Sequence, residues 1–118
     1  MTIGEFAKRS GIIPSTLRYY EDKGLIRVCR DMGNRRDYSE ADVEWVKFIK
    51  RLKDTGMSLA EIRHYSDLRY QGESTMPDRL AILYRHRRYV AEQQDRWREY
   101  AKNLDDKITW YEAQCGKP

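Results

Sequence analysis

The sequence predicts a mainly helical protein, in which a winged helix-turn-helix precedes one long coiled-coil helix. Two observations support this expectation. Capping residues and glycines divide residues 1–70 into short helices and a hairpin, and residues 77–115 keep an apolar heptad spacing. We therefore expect a compact domain over 1–70, a linker over 71–76 and a coiled-coil helix over 77–115.

Length and composition limit the class of protein. The chain has 118 residues, which suits one small domain with an extension, and 36% of them are charged. No apolar run approaches the roughly 20 residues that a membrane-spanning helix needs. The first residues lack the continuous apolar stretch of a secretory signal, so we expect a cytoplasmic protein with no membrane partner.

The first helix is expected at 2–10. Thr2 and Glu5 have the spacing of a capping box, in which Thr2 caps the helix and Glu5 reaches back to it. Gly11 follows and suits the left-handed conformation that ends many helices. These signals predict a short helix bounded on both sides.

A second short helix is expected at 15–23. Pro14 fits its first turn because the missing N–H is not needed there, and Gly24 is placed to end it. Two short helices separated by about four residues form a helix-turn-helix. Leu17 is expected to face the first helix.

A hairpin wing is expected next, with strands at 25–28 and 35–38 joined by a turn at 31–34. Four arginines and one acid, Asp31, lie between Arg27 and Arg36. This local excess of positive charge fits a loop that contacts phosphates, or a solvated surface loop. The composition alone does not choose between the two interpretations.

Two further helices are expected before a break in the pattern. Ser39 with Asp42, and Ser58 with Glu61, repeat the capping spacing, and Gly56 separates the two helices. The stretch from 71 to 77 then combines Gly, Ser, Thr and Pro and offers little to bury.

The long helix carries apolar residues at nine of eleven seam positions that alternate steps of three and four. At about 1.5 Å per residue it is roughly 55 Å long, so it needs a partner, and a second copy is the simplest. The alternative is a helix folded back on its own domain. Arg87 and Gln94 interrupt the seam. Its proposed pairing residues are Leu80, Leu83, Val90, Trp97, Ala101, Leu104, Ile108 and Tyr111.

The second helix offers side chains suited to nucleic acid. Arg18 can donate two hydrogen bonds to guanine in a major groove. Ser15 and Thr16 lie at the helix N-terminus, where amides and hydroxyls suit phosphates or base edges. Tyr19 and Tyr20 offer hydroxyls to phosphate, with Tyr20 alternatively packed in the core.

Three strings now resemble a known family. They are TLRYYEDKGLI at 16–26, NRRDYSEADV at 34–43 and FIKRLKDTGMSLAEI at 48–62. In this order and spacing they closely resemble the MerR family of bacterial transcription regulators. The resemblance covers about the first 70 residues, and the helix from 77 is similar to the family's dimerisation helix, which pairs antiparallel.

The resemblance implies a function and its partners. A homodimer would bind a pseudo-palindromic site in double-stranded promoter DNA and would activate transcription by distorting that DNA for RNA polymerase. It would do so in response to a small-molecule or stress effector, which the sequence does not identify. The DNA-binding residues that the resemblance implies are Ser15, Thr16, Arg18, Tyr19 and Tyr20 in the recognition helix, Arg35, Arg36 and Tyr38 in the wing, and Lys53 beyond it.

The sequence departs from the family's metal and thiol sensors. The metal sensors place cysteines near the start of the dimerisation helix and beyond it, but here the first region holds Met76 and no cysteine and the second holds only Cys115. Cys29 lies in the wing and not in the third helix, where the thiol sensors carry a cysteine, so no metal site and no cofactor are expected. A redox role for either thiol stays open. No glycine-rich phosphate loop or nucleophile motif is present, and His64 and His86 lie 22 positions apart, which argues against an enzyme. The remaining alternative is an architectural or excisionase-like DNA-binding dimer that regulates no promoter.

Overall fold

The computed structural model describes residues 1–116, and these divide into two units, Met1–Ile82 and the residues from Leu83 onward. The first unit begins with a helix-turn-helix and a small hairpin, and two more helices follow. Its elements are α1 (Ile3–Ser10), α2 (Pro14–Asp22), β1 (Cys29–Arg30), β2 (Arg36–Asp37), α3 (Glu40–Asp54) and α4 (Leu59–Gln71). A 3-10 turn (Glu73–Thr75) leads into α5 (Met76–Cys115), which runs on into the second unit.

Local capping explains where the short helices begin. The Thr2 hydroxyl accepts the Glu5 N–H at 3.2 Å, while the Glu5 carboxylate pairs with Arg9 instead of reaching back. Ser39 and Asp42 form the full reciprocal capping box, with bonds of 3.2 Å and 2.9 Å. The predicted helix starts therefore hold to within one residue, and Glu5 does not form the return bond that its spacing predicts.

The core of the first unit lies where α1, α2, α3 and α4 meet. Helix α3 packs against both α1 and α4, and α1 packs against α2. Leu17 is fully buried, as its position on the second helix predicts. The largest fully buried apolar side chains are Phe6, Leu17, Leu25, Val46, Ile49 and Ile62.

The wing differs from its prediction in its first strand. Leu25 and Ile26 are buried core residues outside any strand, and β1 begins only at Cys29. The reason is that the Leu25 carbonyl accepts hydrogen bonds from the Trp45 indole N–H at 3.0 Å and the Ser66 hydroxyl at 2.6 Å. Side chains of α3 and α4 therefore occupy the group that a strand ladder would use.

The stretch after α4 also buries more than its composition predicts. Thr75 is only 6% exposed, and its hydroxyl lies 2.5 Å from the Leu68 carbonyl oxygen and 2.8 Å from that of Gly72. Arg79 donates to both the Thr75 hydroxyl and the Gly72 carbonyl, at 3.1 Å each. The expectation that this segment has little to bury is wrong, because a threonine satisfies the end of α4.

Helix α5 has 40 residues and is therefore about 60 Å long. None of residues 83–116 is buried, so the predicted apolar seam is not covered within the chain. Within the described residues, no helix has the length and apolar character required to cross a membrane.

Candidate nucleic-acid interface

Helix α2 presents most of its predicted contact residues to solvent. Ser15, Arg18 and Tyr19 are exposed and Thr16 is half-buried. Pro14 starts the helix, and its fixed backbone angle suits the first turn. The outward face of α2 therefore carries a cation, two hydroxyls and an aromatic ring that macromolecules can reach.

Two predicted contact residues, Tyr20 and Tyr38, lie in the core instead. Tyr20 is 3% exposed and Tyr38 is 2% exposed, and the Tyr38 ring stacks on Phe6 with centroids 4.2 Å apart. Burial raises the pKa of both phenols above the ordinary value of a tyrosine. For Tyr20 the structure shows the packing alternative.

In the free chain the Tyr38 hydroxyl is enclosed, and its expected contact with a phosphate stays a prediction. This oxygen is buried and has no hydrogen-bond partner in residues 1–116. The ring stacks on Phe6, which encloses it in the core. Burial is the largest cause of the raised pKa of Tyr38, the Glu21 carboxylate raises the pKa further, and Arg36, Arg18 and Arg30 act in the opposite direction.

The two wing arginines of the prediction have different surroundings. Arg35 is exposed and forms no ion pair within the described part of the chain. Arg36 is half-buried, and its Nε donates to the Glu21 carboxylate at 2.6 Å. This hydrogen bond raises the pKa of Arg36 above its ordinary value. Arg35 is therefore available to a polyanion, whereas Arg36 is partly used within the chain.

The tip of the wing is a tightly bonded turn. Asp31 Oδ1 accepts the N–H groups of Gly33 and Arg35, both at 2.9 Å, and Asn34 adopts a left-handed φ of 59°. Met32 is fully exposed at this tip, and nothing in the sequence pattern had pointed to it. The turn holds the backbone beside Arg35 in one conformation.

Lys53, at the end of α3, lies beside the recognition helix. Its ammonium is 5.4 Å from the Tyr19 ring centroid and 5.7 Å from that of Tyr20, within the range of cation–π attraction. Lys23 also lies over Tyr19, at 5.7 Å, and sequence reasoning missed it. The fold thus brings α2, Lys53 and Lys23 together, although 30 residues separate the two lysines.

Metal binding and thiol chemistry are the other functions that the sequence raises. Among residues 1–116 no group of three or more His, Cys, Asp and Glu side chains is arranged to hold a metal ion. Cys29 and Cys115 are free and exposed thiols. The exposure of the two thiols does not decide whether either one has a redox role.

These features define a class of protein. It has a winged helix-turn-helix whose recognition helix α2 is exposed, with a basic wing and Lys53 of α3 nearby. A long helix with exposed apolar residues follows. Comparison with known proteins then identifies the family. Residues 1–68 match the family described as "MerR HTH family regulatory protein", and residues 43–107 match "MerR, DNA binding".

Individual relatives agree with this assignment. The chain is 39% identical over 93 residues to the HTH-type transcriptional regulator AdhR of Bacillus subtilis, a match covering 78% of this chain and 66% of the relative. It is 30% identical over 112 residues to an uncharacterized HTH-type transcriptional regulator of Haemophilus influenzae, covering 94% and 83%. Other curated relatives are matched over a smaller part, such as 44% of a mercuric resistance operon regulatory protein of Shigella flexneri.

Solved structures show the same fold over nearly the whole chain. HiNmlR, described as "a MerR family regulator lacking the sensor domain, bound to promoter DNA", is 29% identical with a TM-score of 0.85, covering 98% of this chain and 92% of that one. A regulator from Listeria monocytogenes is 30% identical with a TM-score of 0.89, covering 95% and 86%. The chain belongs to the MerR family of DNA-binding transcription regulators, and its named relatives are regulators, not enzymes.

Proposed function

We propose that two copies of this chain bind a pseudo-palindromic site in promoter DNA and activate transcription by distorting that site in response to an effector. The single observation that carries the proposal is the exposed face of α2. Lys53, near the end of α3, lies beside this face, and Glu21 of the same helix pairs with Arg36 of the wing. The similarity to HiNmlR, which was solved on promoter DNA, supports the same interpretation.

Each part of the interface has a role in this proposal. Arg18 reads base edges, and Ser15 and Thr16 contact phosphates or base edges at the helix N-terminus. Arg35 and Lys53 contact the phosphates on either side, where sequence-independent charge contributes most of the affinity. Arg36 contributes from its half-buried position, and Tyr19 supports Lys53.

The dimer rests on the exposed seam of α5. Trp97 is 69% exposed and Leu104 is 64% exposed, although both are large and apolar. Exposed apolar residues at heptad spacing are typical of a helix that pairs with another helix. The seam residues that we expect a second copy to cover are Leu80, Leu83, Val90, Trp97, Ala101, Leu104, Ile108 and Tyr111.

Charge favours an antiparallel pairing of the two helices. Residues 83–98 contain five arginines and two acids, a net charge of +3, whereas residues 99–115 contain two lysines and four acids, a net charge of −2. In an antiparallel pair each basic half lies beside an acidic half, but a parallel pair places like charges together. Such charges set orientation in coiled coils more than they add stability.

DNA distortion is energetically reasonable for such a dimer. Bending a site of 20–30 base pairs costs of order 1–6 kcal/mol, which phosphate contacts from two wings can offset. The distortion would realign promoter elements for RNA polymerase. The effector stays unidentified, and a bacterial regulator of this kind would act in the cytoplasm.

The test is a footprint of the purified protein on the DNA upstream of its own gene and the neighbouring genes. We expect a protected, dyad-symmetric site between promoter elements, with hypersensitive bases at its centre. A scrambled duplex of equal composition is the control. Diffuse, salt-sensitive protection of both duplexes would contradict the proposal and favour an architectural or excisionase-like dimer.

A further inference from the structure

Glu21 connects the recognition helix to both strands of the wing. It lies in the last turn of α2 with a side chain 22% exposed. Its Oε2 accepts the Nε–H of Arg36 at 2.6 Å, and its Oε1 lies 3.8 Å from Nη2 of Arg30. One carboxylate therefore faces an arginine from β2 and an arginine from β1.

The register of the wing places two like charges beside this carboxylate. Arg30 and Arg36 are directly opposite each other in the antiparallel pair. Like charges in opposite positions destabilise a sheet, and each strand has only two residues, so the ladder itself is weak. The negative charge of Glu21 offsets this repulsion and ties the hairpin to α2.

The bond to Glu21 leaves part of Arg36 available. Only Nε of Arg36 is used, whereas a guanidinium carries five N–H donors in a planar fork. Within residues 1–116 the terminal nitrogens of Arg36 donate no other hydrogen bond. Glu21 can therefore hold the guanidinium of Arg36 through Nε, while the terminal nitrogens of Arg36 stay available to another acceptor.

We infer that Glu21 is a positioning residue that locks the wing onto the recognition helix and so fixes the distance between the base contacts of the helix and the phosphate contacts of the wing. The consequence for DNA rests on the proposed function. The lock itself is a property of the free chain and can be measured without DNA.

A matched control variant shows whether Glu21 affects DNA affinity through its charge alone or through the wing. Asp22 is the next residue, carries the same charge and is exposed, and it forms no ion pair in the described part of the chain. If Glu21 acted only as an acid near DNA, Glu21→Gln would strengthen binding, because it removes repulsion from phosphates. Asp22→Asn removes the same charge without touching the wing.

The first measurement is amide hydrogen exchange in the free, full-length protein. Glu21→Gln should speed exchange at the Gly33 and Arg35 amides about tenfold, the loss expected for one charged hydrogen bond. Asp22→Asn should leave both amides unchanged. A thermal melt of each variant checks that the core is intact. Equal exchange in the two variants would overturn the lock.

The second measurement is the affinity for the duplex protected in the footprint and for its scrambled control. Glu21→Gln should bind the protected duplex about tenfold more weakly than wild type, although it carries one negative charge fewer. Asp22→Asn should bind it as tightly as wild type or more tightly. Glu21→Asp, one methylene shorter, should fall between Glu21→Gln and wild type.

Each outcome decides a different statement. If Glu21→Gln binds the protected duplex as tightly as Asp22→Asn, the inference is overturned while the proposed function stands. If wild type binds the two duplexes equally, the proposed function fails, and the exchange experiment alone then supports or overturns the lock.

Discussion

Residues 1–82 and residues 83–116 use the same kinds of apolar side chain in opposite ways. In the first unit Phe6, Leu17 and Ile49 are completely buried. In the second, Trp97, Leu104 and Ile108 are more than half exposed. The difference separates a segment that supplies its own core from one whose apolar stripe stays exposed, which we propose a second copy covers. It also shows that an apolar pattern predicts burial without saying which molecule provides it.

The largest expected effect is on the second unit. Leu104→Glu places a charge on the proposed seam of each copy. The two leucines that the dimer would bury are then lost, which should weaken dimerisation about a thousandfold or more. Sedimentation equilibrium measures the monomer–dimer constant. Ala113→Glu adds the same charge at an exposed position outside the seam and should leave that constant unchanged. An unchanged dimer in Leu104→Glu would contradict the seam assignment.

The next effect concerns the core of the first unit. Phe6→Ala removes a fully buried ring that stacks on Tyr38 and should lower the free energy of unfolding by about 3–5 kcal/mol. Ile13→Ala, at a residue 64% exposed, should change it by less than about 0.5 kcal/mol. Urea unfolding followed by circular dichroism compares the two. Similar losses would break the distinction between core and exposed positions.

A smaller effect tests the exposed face of α2, which we propose contacts DNA. Arg18→Ala should weaken binding to the protected site by about 1–3 kcal/mol and relax the base preference at one position in each half-site. Binding to duplexes carrying single base changes measures this preference. An unchanged preference would show that another residue reads the bases.

The smallest effect should come from the wing. Arg35 is exposed and unpaired in residues 1–116, so Arg35→Ala should weaken binding to all sequences alike and reduce the slope of log K against log salt by about 1 per half-site. Affinities at four salt concentrations give the slope. The result sharpens the comparison with Arg18, because a loss confined to one DNA sequence would assign Arg35 to base reading instead.

Much of the first unit could be predicted because its signals are local. A cap, a glycine and a 3.6-residue period each act within one turn of helix, so the helix bounds agree with expectation to within about one residue. The first wing strand could not be predicted in this way. The carbonyl of Leu25 is occupied by Trp45 and Ser66, which are 20 and 41 residues away in the chain.

The candidate site divides along the same line. Arg18 and Arg35 have the exposure that their motifs predict. Tyr38, whose contact with a phosphate stays a prediction, stacks on Phe6 and is buried in the free chain. Sequence spacing identifies a tyrosine beside an arginine, but it does not say which of the two side chains the core encloses.

By itself, the sequence determined the order of the elements, the helix ends, the apolar seam of α5 and the family, since these depend on neighbouring residues and on motif spacing. Only the tertiary structure decided that the Glu21 carboxylate faces Arg30 and Arg36, that Lys53 lies over Tyr19 and that Tyr38 is buried. The physical reason is that these contacts join side chains 9 to 34 residues apart in the chain. A linear pattern carries no information about which distant side chains pack together.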